Sequence, residues 1–303
     1  MNTKLTIAIA SSLALLAGCS ESKNGGDSTP ESFHYEVGGF EVAPGTEFYQ
    51  CFTVKAPTGG TPTLDVGAVR FAYTPGSSAL HHIVIFSGLD SEVEGSAPCD
   101  LFKESWEVRY AGGTATDPLE PPAGVAVPVR PVETWIFQMH YLNSGDTPIV
   151  DNTTVDIDFT MPGDAFIPAA LVIGGSSDIS LPPNAVTDVV GQCDVPAGFP
   201  DVSVYSFWPH MHQKGTHFKI EFIDNGVTST LYDAAYDFAD QSTWAPTSPL
   251  TVGSGDSVRT TCSFNNTTGD TVVFGESSTQ EMCFNFLFYY PRPAIAPGMI
   301  PCL

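Results

Sequence analysis

Short runs in which apolar residues alternate with polar ones, or follow one another directly, recur along the chain from residue 40 onward. Gly, Pro, Asn, Asp and Ser fill the gaps, and the 28 Gly and 25 Pro leave no long segment with helical spacing. Many short strands separated by turn residues are typical of an all-β sandwich or jelly roll. We therefore predict strands at 40–42, 48–54, 66–73, 80–87, 134–142, 155–159, 169–173, 186–190, 202–208, 218–223, 257–264, 271–274 and 282–290.

The segment 90–131 has the weakest strand pattern of the chain. We predict that it is a long crossover containing one helical turn. Strand 134–142 follows it, and alternation places Trp135, Phe137, Met139 and Tyr141 on one face. His140 lies on the other face.

The N-terminus has one lysine, an apolar run at 5–16 and then Leu16-Ala17-Gly18-Cys19. This pattern resembles a bacterial lipoprotein signal, with residues 1–18 removed and Cys19 acylated. A plain signal peptide or a membrane helix is the alternative, although the apolar run is short for a bilayer span. Residues 19–32 lack hydrophobic periodicity and predict a flexible tether. Because Ser20, not Asp, follows the cysteine, we expect the outer membrane.

The formal net charge of -23, with only 11 Lys+Arg, argues against nucleic acid and against binding to anionic lipid through basic patches. We expect a monomer that contacts the membrane through its N-terminal lipid only. The negative charge otherwise affects solubility and the electrostatic attraction of small cations, and it does not identify a substrate.

Six cysteines remain after Cys19, and none of them forms a Cys-x-x-Cys pair. In an oxidising compartment disulfides are the default, and six cysteines allow fifteen pairings. The long gap between Cys99 and Cys193 divides the six into groups of two and four, which favours two domains.

Several histidines form candidate metal sites. His210 and His212 share one face of a strand end, although water or backbone partners also explain an isolated His-x-His pair. His81 and His82 are adjacent, so both reach one ion only where the strand begins or is bulged. His140 would complete a set of three imidazoles, which suits copper, zinc or iron without choosing among them.

Met282 opens the last aromatic run and would ordinarily be core filler. A thioether beside two imidazoles, however, selects Cu(I). Three histidines in one half of the chain, and two histidines with a methionine in the other, would suit two copper ions of different character.

The ordered set of motifs resembles the type II copper, ascorbate-dependent monooxygenases, which include the peptidylglycine α-hydroxylating and dopamine β-type enzymes. The motifs are His81-His82, Gln138-Met139-His140-Tyr141, His210-Met211-His212 and Glu281-Met282-Cys283. The resemblance implies two jelly-roll β-sandwich domains, at 33–163 and 164–303, with a copper site in each. His81, His82 and His140 would hold an electron-transfer copper, and His210, His212 and Met282 the catalytic copper.

The resemblance also implies three disulfides, Cys51–Cys99, Cys193–Cys302 and Cys262–Cys283. The implied reaction is hydroxylation of an activated C–H bond of a small organic substrate with O2. Ascorbate or another one-electron donor would supply the electrons.

Departures from the family pattern concern the substrate. Peptide-amidating members have an arginine where this chain has Trp208 and a tyrosine where it has Phe286, whereas Tyr49 is retained. With Gln138, these residues form the candidate substrate pocket, which we expect to accept an apolar or aromatic substrate. A copper-binding lipoprotein without turnover is the main rival interpretation, and an adhesion or carbohydrate-binding sandwich with incidental histidines is another.

Overall fold

The computed structural model describes residues 32–56, 66–89, 92–99, 103, 105–114, 116–130, 133–161 and 163–293, and these residues form strands and loops without a helix. None of them forms a helix long and apolar enough to cross a membrane. The strands are β1 (Ser32–Glu36), β2 (Phe40–Val42), β3 (Thr46–Lys55), β4 (Val66–Thr74), β5 (Leu80–Leu89), β6 (Gly95–Pro98), β7 (Glu107–Gly113), β8 (Val125–Val129), β9 (Glu133–Asn143), β10 (Ile149–Asp151), β11 (Thr154–Phe159), β12 (Ile167–Pro168), β13 (Ala170–Ser176), β14 (Ser180–Leu181), β15 (Ala185–Asp194), β16 (Val202–His210), β17 (Gly215–Asp224), β18 (Val227–Ala235), β19 (Leu250–Val252), β20 (Ser257–Asn266), β21 (Val272–Val273) and β22 (Cys283–Tyr290).

Strands β1–β12, here the first half, build two five-stranded sheets in the orders β1-β11-β4-β8-β12 and β6-β3-β9-β5-β7, and β10 pairs with β2 in a two-stranded sheet. The predicted apolar face of β9 lies between them: Phe33 of β1 contacts Trp135, and Tyr35 contacts Phe137. Burial of this alternating face explains why β9 forms where its pattern predicts it. The opposite face of β9, which carries His140, is left for the functional site.

Strands β13–β22, the second half, form the four-stranded sheets β13-β22-β16-β19 and β15-β20-β17-β18 around a separate core. The last strand, β22, is buried on both faces, which explains its continuous aromatic sequence. One face, with Cys283, Leu287 and Tyr289, enters the core of the second half. The other face, with Met282, Phe284, Phe286 and Phe288, joins the apolar cluster of the first half, so the two halves are packed together.

The all-β prediction is confirmed, but the prediction for 90–131 is wrong. Its described residues contain β6, β7 and β8 and no helical turn. Two of these strands lie at the edges of one sheet, and β8 pairs with β4 and β12. Pairing with neighbouring strands, which a local pattern does not reveal, holds them extended. Strand β22 begins at Cys283, one residue later than predicted.

Two implied disulfides are confirmed, Cys51–Cys99 and Cys262–Cys283, each within one half of the chain. The predicted partner of Cys193 is Cys302, which lies outside the described residues, as do Cys19, the signal at 1–18 and nearly all of the tether at 19–32. The boundary near Gly163 stays a prediction.

Candidate metal centre

The first site is the cluster of His81, His82 and His140, whose ligand atoms all lie within 4.8 Å of one another. His140 of β9 stands directly opposite His82 of β5. The register of this strand pair shifts between Leu80 and His82, at the first residues of β5. This irregularity brings the adjacent His81 to the same place, as the sequence predicted for a strand start or a bulge.

Hydrogen bonds decide which ring nitrogens of the first site are available to a metal. His81 Nε2 lies 2.9 Å from the Phe238 carbonyl oxygen, which only accepts, so the neutral ring carries its proton there and keeps a lone pair on Nδ1. His140 Nε2 likewise donates to Glu47 Oε1 at 3.0 Å, and its buried Nδ1 has no partner. The Nδ1 atoms of His81 and His82 are 3.2 Å apart. These nitrogens fit three ligands that converge on one ion, and oxygen acceptors hold the other N–H groups of His81 and His140.

Glu47 links the first site to the second half. Besides His140, its carboxylate accepts from the Ser277 hydroxyl at 3.0 Å, the Ser278 hydroxyl at 3.1 Å and the Ser278 backbone N–H. Burial opposes ionisation, but the bonds from His140, Ser278 and Ser277 prevail and lower the pKa of Glu47 to about 2. Glu47 is therefore a carboxylate that fixes a histidine of the first half and a loop of the second.

The second site begins at the end of β16, where His210 and His212 lie with ring centroids 5.3 Å apart. His210 Nδ1 lies 2.7 Å from Gln241 Oε1, and His212 Nδ1 lies 3.2 Å from the Gln280 carbonyl. Both oxygens accept, so both rings carry the proton on Nδ1 and keep the lone pair on Nε2. The Nε2 of His212 is buried and has no hydrogen-bond partner. The second site thus presents Nε2 atoms, whereas His81 and His140 present Nδ1.

Strand register points to the place of Met282. His210, the last residue of β16, pairs with Phe284 of β22 in an antiparallel ladder. Extended by two residues beyond the ends of both strands, the same register would set Met282 opposite His212. Met282 is 1% exposed, which is compatible with either packing or a thioether ligand.

Glu281 fixes the turn that carries His212. Its fully buried carboxylate accepts from the backbone N–H of His212 at 2.9 Å and of Lys214 at 2.6 Å. Burial raises the pKa of Glu281 to about 7, and the two N–H groups oppose this shift. Because Met282 is the next residue, the same contact anchors both parts of the second site.

Burial holds four of these five histidines neutral. Burial, followed by the neighbouring imidazoles, lowers the pKa of His81 to about 3 and that of His212 to about 4. The pKa of His82 and that of His210 are lowered well below the ordinary value for the same reasons. Neutral imidazole is the form that binds a metal ion.

The two sites adjoin each other across the contact between the halves. The ring centroids of His82 and His210 are 4.9 Å apart, and those of His82 and His140 are 4.8 Å apart. With the 5.3 Å between His210 and His212, four imidazoles form an unbroken row. Sequence spacing predicted two ligand sets but not that they would touch.

Comparison with known proteins bears on which metal these donors suit. Residues 168–298 match the family model described as "Copper type II ascorbate-dependent monooxygenase, C-terminal domain". A human DBH-like monooxygenase protein 2 is 26% identical over 246 residues, covering 73% of this chain and 49% of the relative. Residues 168–298 thus belong to the C-terminal domain of the copper type II ascorbate-dependent monooxygenase family.

Other relatives of this monooxygenase family align over similar or shorter stretches. The MOXD1 homolog 1 of Drosophila melanogaster is 24% identical over 254 residues, covering 71% of this chain and 36% of the relative. DBH-like monooxygenase protein 1 of Gallus gallus is 31% identical over 94 residues, or 30% of this chain and 15% of the relative. The chain spans about half the length of the human relative, 49%, and less of the other two.

Copper, the metal named by the family model that residues 168–298 match, fits the residues present. The buried, unpartnered Nδ1 of His140 and Nε2 of His212 are donor atoms directed into the two sites. Neutral imidazoles with a neighbouring thioether are the donors that copper prefers.

The residues predicted for the substrate pocket lie around the two sites. Tyr49 stacks on His140 with centroids 4.4 Å apart, and Trp208 and Phe286 pack on each other at 4.8 Å. Trp208 is fully buried, and Phe286 is 2% exposed, both in the contact between the halves. Gln138, on the His140 face of β9, is also buried. Their role in binding a substrate stays a prediction.

Four residues at the centre were missed by sequence reasoning. Glu47 had a usable signal, because it lies two residues before Tyr49 on the same strand face. Glu281 stands in a recognised motif, but its role was not deduced. Phe238 and Gln241 lie in a loop without periodicity, and no sequence signal identifies them. The remaining histidines, His34 and His217, pair with Asp156 and Asp233.

Proposed function

We propose that the protein is a copper-dependent monooxygenase that holds two copper ions, one in each of two jelly-roll domains, and hydroxylates a small organic substrate with O2 and a reductant such as ascorbate. The observation that carries the proposal is the pair of unequal donor sets in contact, three imidazoles beside two imidazoles and a methionine. Storage of copper requires no such difference between sites, whereas passing an electron from one site to the other benefits from it.

Copper at these donors supplies one-electron transfer and the activation of O2. The chain supplies neutral donors with fixed ring orientations, through Glu47 and the Phe238 carbonyl at the first site and Gln241 and the Gln280 carbonyl at the second. The first set would hold the electron-transfer ion and the second the ion at which the substrate is oxidised. Burial of His210 and His212 keeps bulk water away from the donor atoms of the second site.

The substrate we propose is small and largely apolar. Trp208 and Phe286 present aromatic surface beside His210, with centroids 4.9 and 6.3 Å from its ring. A substrate carboxylate placed there would have no cationic partner, and its desolvation would cost about 1–3 kcal/mol of binding free energy. That penalty corresponds to a loss of about tenfold to a hundredfold in transition-state binding.

The test of function measures oxygen consumption by the copper-loaded protein with ascorbate. Phenethylamine-like and neutral aromatic compounds are compared with glycine-extended peptides, and products are detected by a mass gain of one oxygen atom. We expect turnover of the aromatic compounds. Preferred turnover of peptides would overturn the substrate assignment, and two bound, reducible coppers without any turnover would favour the copper-binding rival.

For localisation we propose an outer-membrane lipoprotein, supported by the sequence around Cys19. Palmitate label should be incorporated at Cys19, and Cys19→Ala should release the protein from the membrane fraction. Unlabelled wild-type protein recovered without lipid would contradict this.

A further inference from the structure

The loop from Phe238 to Gln241 contacts one histidine of each site. The Phe238 ring stacks on His81 at 3.9 Å, and its carbonyl accepts from His81 Nε2 at 2.9 Å. The same carbonyl accepts from Gln241 Nε2 at 3.2 Å, and Gln241 Oε1 accepts from His210 Nδ1 at 2.7 Å. A continuous chain of hydrogen bonds therefore runs from His210 through Gln241 and the Phe238 carbonyl to His81.

The position of Gln241 is fixed from several sides. Its backbone carbonyl accepts from Trp208 Nε1 at 2.9 Å and from the Thr116 hydroxyl at 3.1 Å. At Gly113 of β7, an added Cβ would meet Gln241 Cβ at 2.5 Å, so only glycine permits this approach. Gln241 is 2% exposed. These contacts fix the backbone of Gln241 from both halves of the protein. A residue fixed in this way orients the hydrogen-bond partner of its side chain better than a mobile loop residue would.

The amide of Gln241 can satisfy this network in one orientation only. The Phe238 carbonyl oxygen only accepts, so the amide NH2 faces it at 3.2 Å and the amide oxygen faces His210. The reverse orientation would set the amide oxygen against the carbonyl oxygen, two acceptors without a proton between them. The network thus selects one tautomer of His210, the one that leaves Nε2 free.

We propose that Gln241 is a positioning residue for the second site: it holds the His210 ring with Nε2 presented to the metal, and through the Phe238 carbonyl it ties that ring to His81 of the first site. The metal-binding part rests on the proposed function, because it assumes that the second site binds copper. The tautomer part concerns the metal-free protein alone.

The first experiment determines histidine tautomers by ¹⁵N NMR of the metal-free protein. We expect the proton of His210 on Nδ1 and that of His81 on Nε2. In Gln241→Met the fixed tautomer of His210 should be lost, whereas His81 keeps its bond to the Phe238 carbonyl. Methionine has a similar volume, and Gln241 borders a cavity of about 220 Å³, so overpacking is avoided.

The matched control is Gln50→Met. Gln50 is also buried, at 5% exposed, but its amide donates to Ser96 away from both sites. In the second experiment Gln241→Met should bind the second copper about 10- to 100-fold more weakly and alter the Cu(II) spectrum of that site, with neither change in the control.

A wild-type His210 protonated on Nε2 would overturn the proposal, and so would a Gln241→Met protein with unchanged tautomers and copper affinity. If Gln241→Met fails to fold, Gln241→Glu replaces it, because the glutamate carboxylate still accepts a hydrogen bond from His210. We expect His210 to keep its proton on Nδ1 in Gln241→Glu, and loss of that proton would also count against the proposal. Wild-type protein that binds two coppers without turnover would defeat the proposed function and leave this inference standing.

Discussion

Truncation of Glu47 should uncouple the first site from the loop at 277–278. Glu47→Ala removes the acceptor of two N–H donors, the ring of His140 and the backbone of Ser278. A buried donor left without a partner costs about 1–3 kcal/mol, so the two together predict a loss of about 2–6 kcal/mol in the free energy of unfolding. That is a large share of the 5–15 kcal/mol of a typical domain.

Glu47→Gln should be milder, because its amide oxygen can still accept both N–H groups while its NH2 donates to the hydroxyls of Ser277 and Ser278. The cost is then mainly the charge contribution to these bonds, about 1–2 kcal/mol. Copper affinity of the first site should fall about 10- to 100-fold in Glu47→Ala, since His140 is no longer oriented.

The assay is urea unfolding of the metal-free proteins, followed by copper titration. The control is Glu41→Ala, an exposed glutamate of β2, which should change stability by less than about 0.5 kcal/mol. The hydrogen-bond reasoning is refuted if the free energy of unfolding of Glu47→Ala lies within about 0.5 kcal/mol of the wild-type value. It is also refuted if Glu47→Gln is as unstable as Glu47→Ala.

Three further outcomes are expected. Met282→Ala should lose tight Cu(I) binding at the second site and spare the first, and retention of both ions with unchanged affinity in a copper titration would exclude Met282 as a ligand. Replacement of Cys262 and Cys283 together by alanine, which opens a loop of sequence separation 21, should lower stability by about 3 kcal/mol in denaturant unfolding, and an unchanged midpoint would contradict this. Arg109→Met should cost about 3–5 kcal/mol by leaving the buried carboxylate of Glu133 without its main partner, and Arg109→Met with Glu133→Gln should recover part of that loss in the same measurement.

The strands inside the sheets, except β8, could be predicted from the sequence, whereas many of those at the edges could not. Strands β9, β16 and β22 have neighbours on both sides and carry regular apolar patterns, because each must bury at least one face. Strands β1, β6, β7, β18 and β19 lie at sheet edges and were not predicted. Their side chains are more exposed or follow no regular apolar pattern. Pairing with a single neighbouring strand holds these strands extended.

The sequence by itself determined which candidate donor groups the protein has. Histidine pairs on strands, a third histidine on an alternating strand and a methionine before a buried strand specify donor types, and alternation specifies the face on which His140 lies. Strand geometry also predicted that His81 and His82 need a strand start or bulge to act together, and the register shift after Leu80 confirms it.

Only the tertiary structure decided how these donors are oriented and how close the two sets lie. The acceptors of the ring N–H groups come from distant segments: Glu47 is 93 residues from His140, and Phe238 is 157 residues from His81. No local pattern encodes a contact of that separation, since it depends on how the two halves pack. The same packing sets His82 against His210, which makes one centre of two sites that the sequence presents as separate.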